Sequence, residues 1–311
     1  MKEKNKAKKV IMTGPTGAIG IALVQELVKS GAEVTAICHR GSKRIKRLPE
    51  SDKLKVIERN LDELKTLEVL LDDDYDIFYH LGWSHTVGND RNDVDAQIKN
   101  IKYTIDAVEL ANAVGCNRFI GAGSQAEYGR TLQKLSANIP TSPENGYGMA
   151  KLCAGQMSRL RCEQLGMEHI WTRILSVYGP YDGDNTLVNS LIRKLKRNEI
   201  PHCTKGEQIW DYLYSKDAAR ALYLIGEMGI KGKVYCIGSG QGKPLLSYIE
   251  TIRNCVNPNA QLGIGDVPYG ENQVMHLWAD ISDLENDVGF EPRYSFEQGV
   301  QETIHWIEDE M

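Results

Sequence analysis

The chain has 311 residues, 41% of them hydrophobic and 25% charged, with a net charge of −5. That length can bury the core of one large α/β domain or of two interlocked smaller ones, and the acidic balance argues against a general affinity for nucleic acid or anionic membrane. No stretch reads as a signal peptide or a membrane span, because the first apolar run, VIMTGPTGAIGIALV, is cut by three glycines and a proline.

In chain order, the lysine-rich opening MKEKNKAKK reads as a solvated tail. KVIMTG is a short apolar strand ending at glycine. Residues 18–30 follow as a helix, with Ile19, Leu23, Val24 and Leu27 at helical spacing and Gly31 closing it. EVTAICH and LKVIERN read as the second and third strands, LDELKTLEVLL as a helix, and YDIFYHLGW as a buried fourth strand. Residues 93–114 form a long helix carrying Val94, Ile98, Ile101, Ile105 and Val108 on one stripe, and NRFIGAGS is a fifth strand. Further strands are expected near 168–178 and 232–240. The last helix opens on a capping box, Ser295 with Gln298, and buries Val300, Ile304 and Ile307.

Strands alternating with helices imply an α/β fold, a Rossmann-type doubly wound parallel sheet with helices on both faces, whose ligands bind at the carboxyl ends of the strands. Residues 1–176 are expected to form the Rossmann-type domain. Residues 177–311 are expected to form a smaller substrate-binding lobe, with part of 208–240 returning to the first domain. The seven cysteines are scattered without a C-x-x-C pair, as expected of reduced thiols in a cytoplasmic protein, and apolar packing is the expected use of Cys38, Cys153 and Cys162.

TGPTGAIG sets Gly14, Thr16, Gly17, Ala18, Ile19 and Gly20 between the first strand and its helix. The first glycine permits a tight turn, the second lets a pyrophosphate approach the backbone, and the third allows close packing. The helix N-terminus then offers free N–H groups to the phosphates. The carboxylate that selects NAD sits roughly 20 residues further on, where it bonds the ribose 2′-hydroxyl. Here EVTAICHRGSKR runs out into Cys38, His39 and Arg40 instead. Arg40, with His39 and Lys43, would suit the 2′-phosphate of NADP, so NADP is the expected cofactor and NAD the alternative.

YGMAK puts Tyr147 and Lys151 four residues apart, on one helix face, and GAGSQAEYG ends the fifth strand at Ser124. The trio suits carbonyl reduction or alcohol oxidation. The lysine cation favours the phenolate, the tyrosine moves a proton to or from the reacting oxygen, the serine hydrogen-bonds that oxygen, and the nicotinamide carries the hydride. The two histidines of HLGWSH have no third ligand at a convincing spacing, so no metal is expected.

Taken together these features resemble the extended short-chain dehydrogenase/reductase family, the NAD-dependent epimerase/dehydratase group acting on nucleotide sugars. The resemblance runs through FYHLGW, KNIKYT, GSQAEYG, YGMAK, RILSVYGP, WDYLYSKDAARAL and WADISDLENDVGFEP. It implies a nucleotide sugar as partner and a homodimer built on the 94–108 stripe and the helix of Tyr147. It also implies that Asn60 and Leu61 meet the adenine, that Leu81, Gly82 and Trp83 border the riboses, and that Ile174 lines the cofactor site. Asn100 would support Lys151 through water. Trp83 and His85 would line the sugar pocket, as would Gln125, Ser176 and Trp210. The chain departs from the family pattern at these last positions. Gln125 and Ala126 replace the Asp-Glu pair of the dehydratases, which speaks against loss of water from the sugar, and Glu127 is expected to point elsewhere on the strand. Ser176 stands where asparagine is common, and Trp210 where an arginine holds the pyrophosphate. An NADPH-dependent 4-ketoreductase of a nucleotide-linked 4-keto-6-deoxyhexose is the leading expectation. A nucleotide-sugar 4-epimerase with tightly held NAD is the alternative, and a non-catalytic NADP-responsive regulator a remote third.

Overall fold

The computed structural model describes residues 8–71 and 74–310, so all but the last residues of the opening lysine-rich run lie outside the described residues. Seven strands form one sheet: β1 (Lys9–Thr13), β2 (Glu33–Cys38), β3 (Leu54–Glu58), β4 (Ile77–His80), β5 (Arg118–Ser124), β6 (Glu168–Ile174) and β7 (Val234–Ile237). Their order is β7-β6-β5-β4-β1-β2-β3, and every pairing is parallel. The chain leaves β1 toward one edge and returns from β4 toward the other, so a crevice opens at the carboxyl ends of β1 and β4.

Helices cover both faces, which is why β1, β4 and β5 are nearly continuous apolar runs. One face buries Leu23, Val24 and Leu27 of α1 (Ala18–Lys29) with Leu222 and Ile225 of α5 (Ser215–Met228). The other buries Val108 and Ala111 of α2 (Val94–Ala113) with Cys162 of α3 (Gly146–Leu165). The expected stripe on α2 does not form one buried face. Val108 is in the core, Ile101 and Ile105 are half-buried, and Val94 and Ile98 are exposed. Cys38 and Cys162 are buried thiols, but Cys153 is exposed on α3.

The segment expected to be a helix at 61–71 is two 3₁₀ turns, Leu61–Thr66 and Glu68–Leu70. Leu64 and Leu67 are its fully buried leucines, three residues apart, a spacing that eclipses on a 3₁₀ helix. Val69 and Leu70 stay in solvent.

Past β6 the chain builds a lobe around α4 (Leu187–Lys196), α6 (Leu245–Val256) and α8 (Phe296–Glu310), with α7 (Ser282–Val288) beside β7. Its core is an aromatic cluster: the Phe296 ring lies 4.8 Å from Tyr178 and 4.6 Å from Tyr248. The Ser295–Gln298 capping box forms both of its bonds, at 2.8 and 3.2 Å, and Val300, Ile304 and Ile307 are buried. Buried Asp211 ties the lobe to the segment after β7 by accepting from Ser239 N, Gly240 N and Ala279 N. No helix among the described residues is long and apolar enough to cross a membrane.

Candidate active site

The turn from β1 into α1 works as a cradle because it cannot carry side chains. Gly14 has φ +71°, and a Cβ there would lie 2.7 Å from the Gly82 nitrogen. A Cβ on Gly20 would lie 2.1 Å from the Gly14 carbonyl oxygen. At Gly17, the N-cap of α1, nothing comes closer than 3.9 Å, so space is left in front of the helix N-terminus. A glycine-walled helix end with open space before it fits a pyrophosphate.

The turn after β4 is fixed from beneath. Thr13 Oγ1 accepts from Gly82 N at 3.1 Å and sits 2.8 Å from His80 Nδ1, while His80 Nε2 sits 3.3 Å from Thr104 Oγ1. Thr104 donates onward to the Asn100 carbonyl at 2.9 Å. The chain closes with every proton placed only if His80 is neutral and protonated at Nε2. Burial, helped by the charge on Lys151, holds its pKa down at about 3.

Asn100 does not reach Lys151 with its side chain. Its amide oxygen accepts from Ser84 N and Ser84 Oγ, each at 3.1 Å, and its amide nitrogen donates to Ser84 O at 3.0 Å. One helical turn earlier Gln97, a residue the sequence analysis passes over, accepts from Trp83 Nε1 at 3.0 Å and donates to His85 O at 2.9 Å. Both amides therefore hold the loop that carries Trp83.

A cavity of about 430 Å³ opens between these turns, walled by Gly17, Ala18, Ile19, Leu81, Trp83, Ser124, Tyr147, Lys151 and Ile174. Buried Lys151 donates from Nζ to the Ala122 carbonyl at 2.6 Å and lies 3.7 Å from the centre of the Trp83 ring. Burial drops its pKa to about 7, against the pull of Glu127. The Tyr147 ring packs edge-on against Trp83, with centroids 6.1 Å apart. Burial raises the Tyr147 phenol above its ordinary value, while hydrogen bonding to Ser124 and the charge of Arg91 pull it down. The Lys151 ammonium lies 5.7 Å from the centre of the Tyr147 ring, further than the Arg91 guanidinium at 4.6 Å. Asp182, an acid the sequence did not flag, also walls the cavity, and its carboxyl is pushed up mainly by burial.

A second cavity of about 350 Å³ continues from Gly14, Thr16 and Gly17 past Leu81 and Gly82 to Asn60, Leu61, His39, Arg44 and Arg59. Arg40 and Lys43 are not in its wall. Arg40 is paired with Glu63, whose other oxygen accepts from Asn60 N at 2.8 Å. Lys43 opens a 3₁₀ turn, Lys43–Arg47, that brings Arg44 inward instead, and Arg59 arrives from the end of β3.

The other expected substrate contacts lie apart. Gln125 faces a neighbouring polar cavity of about 680 Å³ together with Arg91, Arg130, Asn145 and Asn272. Ser176 accepts from Trp210 Nε1 at 2.9 Å, so these two satisfy each other. His85 is exposed, with φ +57°. Glu127 is not on a strand, because β5 stops at Ser124 and Gln125–Glu127 turn as a 3₁₀ helix. Its fully buried carboxylate accepts from Ser124 N at 2.8 Å, Trp171 Nε1 at 3.0 Å and Arg173 Nε at 2.7 Å. The Trp171 indole lies where Cβ atoms on Gly121, Gly123 and Gly155 would come within 2.2, 2.2 and 2.7 Å of it.

A parallel sheet with a glycine cradle at its crevice, and a tyrosine and lysine on the helix alongside, defines a Rossmann-type enzyme of the extended short-chain dehydrogenase/reductase class. Residues 10–238 match the NAD dependent epimerase/dehydratase family, and the chain belongs to it. It is 24% identical to an uncharacterised UDP-glucose epimerase of Bacillus subtilis, over 96% of this chain and 98% of that one. It is also 24% identical to a dTDP-glucose 4,6-dehydratase of Escherichia coli, over 96% and 93%. The fold superposes on a UDP-N-acetylglucosamine 4-epimerase of Methanobrevibacter ruminantium with a TM-score of 0.89 at 23% identity, covering 98% of this chain and all of that one. It superposes on the UDP-glucuronic acid 4-epimerase of Bacillus cereus, solved with NAD, with a TM-score of 0.84 at 22% identity, covering 97% and 100%.

Proposed function

We propose that the protein is an NADPH-dependent ketoreductase acting on a nucleotide-linked keto sugar, of the 4-keto-6-deoxyhexose type. One observation carries the choice of cofactor: the adenine end of the crevice is walled by His39, Arg44 and Arg59 and by no carboxylate. Guanidinium groups suit a 2′-phosphate, whereas a ribose hydroxyl calls for an acid. Gly14, Gly17 and Gly20 would hold the pyrophosphate, Asn60 and Leu61 the adenine, and Leu81, Trp83, Lys151 and Ile174 the nicotinamide riboside. When bound, the nicotinamide supplies the hydride. Tyr147 passes its proton to the carbonyl oxygen as that oxygen becomes an alkoxide, and Ser124 hydrogen-bonds the same atom. Gln125 and Ala126 stand in place of two acids, and the carboxylate of Glu127 on the same turn is buried and taken up by Ser124 N, Trp171 and Arg173, so dehydration is disfavoured.

Titration calorimetry on purified protein tests this reading. NADPH should bind at least tenfold more tightly than NADH. Replacing Arg44 and Arg59 together by alanine should weaken NADPH by about 10- to 100-fold, the worth of one or two charged hydrogen bonds, and leave NADH nearly unchanged. Protein that arrives carrying NAD and ignores NADPH would favour the second reading, a nucleotide-sugar 4-epimerase. That reading is supported by the relatives named as epimerases. We further infer a homodimer built on α2 and α3, where Val94, Ile98, Met149, Met157 and Leu160 are exposed. Light scattering should give twice the chain mass, and a monomer at micromolar concentration would sink the idea.

A further inference from the structure

Arg91 lies in the short 3₁₀ turn Gly88–Asn92, just before α2. Its guanidinium carbon stands 4.6 Å from the centre of the Tyr147 ring. The turn is fastened to the first residues of α3, which carry that ring. Gly146 N donates to Asn92 Oδ1 at 2.9 Å, and a Cβ on Gly146 would come within 3.0 Å of the Arg91 carbonyl oxygen. Asp93, two residues on, caps α2 by accepting from Ala96 N at 3.0 Å. Ring and guanidinium are thus held by elements that cannot move independently.

Among the described residues no carboxylate is bonded to this cation, whereas Arg130, which shares its cavity, is bonded to Glu144 at 2.7 Å. Arg91 Nε is buried without a hydrogen-bond partner. The other charged groups around the phenol are fewer than the sequence suggests. Glu127, on the turn after β5, opposes its ionisation. Lys151, on α3 itself, is bonded to Ala122 O, and its ammonium is 5.7 Å from the Tyr147 ring centre. Burial leaves that ammonium only partly protonated at neutral pH. A guanidinium keeps its charge throughout this range.

We propose that Arg91 is a positioning residue for Tyr147: it clamps the face of the ring and supplies the fixed positive charge that favours the phenolate, a task that the sequence pattern assigns to Lys151. The bearing of this on catalysis rests on the proposed role of Tyr147 as proton donor, but the electrostatic claim does not. A cation this close to an ionising group shifts it by about 1–2 pH units when partly screened.

The test is ¹⁹F NMR of the full chain with its tyrosines replaced by 3-fluorotyrosine, whose phenol ionises at lower pH. Loss of one resonance in Tyr147→Phe assigns the signal. Arg91→Gln should raise its titration midpoint by about 1–2 units, Arg91→Lys should restore at least half of that shift, and Lys151→Met should move it less than Arg91→Gln does. The proposal is overturned if Arg91→Gln leaves the midpoint unchanged, if Lys151→Met moves it further, or if the wild-type resonance does not titrate below about pH 11. Should Arg91→Gln fail to fold, Arg91→Met and Arg91→Lys carry the same comparison. The resonance titrates whether or not a keto sugar is turned over, so failure of the functional reading and failure of this one are told apart.

Discussion

Tyr147→Phe is expected to bind the nicotinamide cofactor as tightly as the wild type does and to lose turnover by about 10²- to 10⁴-fold, the usual worth of a positioned general acid. The ring would stay where it is, because its packing against Trp83 and beneath Arg91 involves the face and edge and not the hydroxyl. Only the transferable proton disappears. Ser124 remains to hydrogen-bond the substrate oxygen but is a poor proton donor, and Lys151, turned to the Ala122 carbonyl, does not stand in for the phenol. The measurement is NADPH consumption against a nucleotide-linked 4-keto sugar, with cofactor affinity determined on the same preparation. A variant that keeps more than a tenth of wild-type turnover at unchanged affinity would mean that another group supplies the proton.

The second large effect is one of stability. Glu127→Ala strips the acceptor from three buried donors and strands the Arg173 charge, whose guanidinium has one nitrogen already without a partner. Removing one side of a buried ion pair costs about 3–5 kcal/mol, because the remaining charge stays desolvated. For a chain of this size that corresponds to a melting temperature lower by about 5–8 °C. Removing both charges, in Glu127→Gln with Arg173→Met, should recover part of the loss. Thermal melts of the two variants decide the matter, and a drop of less than about 2 °C in Glu127→Ala would show that water or a relaxed turn takes over the three bonds. Because one of these donors is the Ser124 nitrogen, activity in the single variant should fall further than its folded fraction alone explains.

Much of the fold was legible in the sequence because its signals are local. An apolar run followed by three spaced glycines can be read within a dozen residues, and so can Tyr147 and Lys151 four apart on one helix. The site was legible where one element supplies a residue directly, and less so where a side chain's direction depends on a turn. Arg40 and Lys43 look like the natural phosphate ligands beyond β2. The 3₁₀ turn at Lys43–Arg47 brings Arg44 inward, Glu63 on the turn after β3 captures Arg40, and Arg59 comes from the end of a different strand. Glu127 departs from expectation for a related reason: a strand continued past Ser124 would point it elsewhere, whereas the turn that begins there folds it under the serine. Gln97 could have been found, since it lies three residues before Asn100 and so shares its face of α2. Arg91 could not, because nothing in a loop's composition says which helix it will lean on.

The glycines behind Tyr147 constrain how this protein could have diverged. Gly121 and Gly123 on β5 and Gly155 on α3 leave a trench that the Trp171 indole fills. A methyl group at any of the three would collide with the indole, and a smaller residue at 171 would leave a void beneath the helix that carries the tyrosine. None of these four positions can drift alone without shifting α3 and the phenol with it. They form one packing unit drawn from three separate stretches of the chain, so that a change at one is poorly packed unless another changes with it.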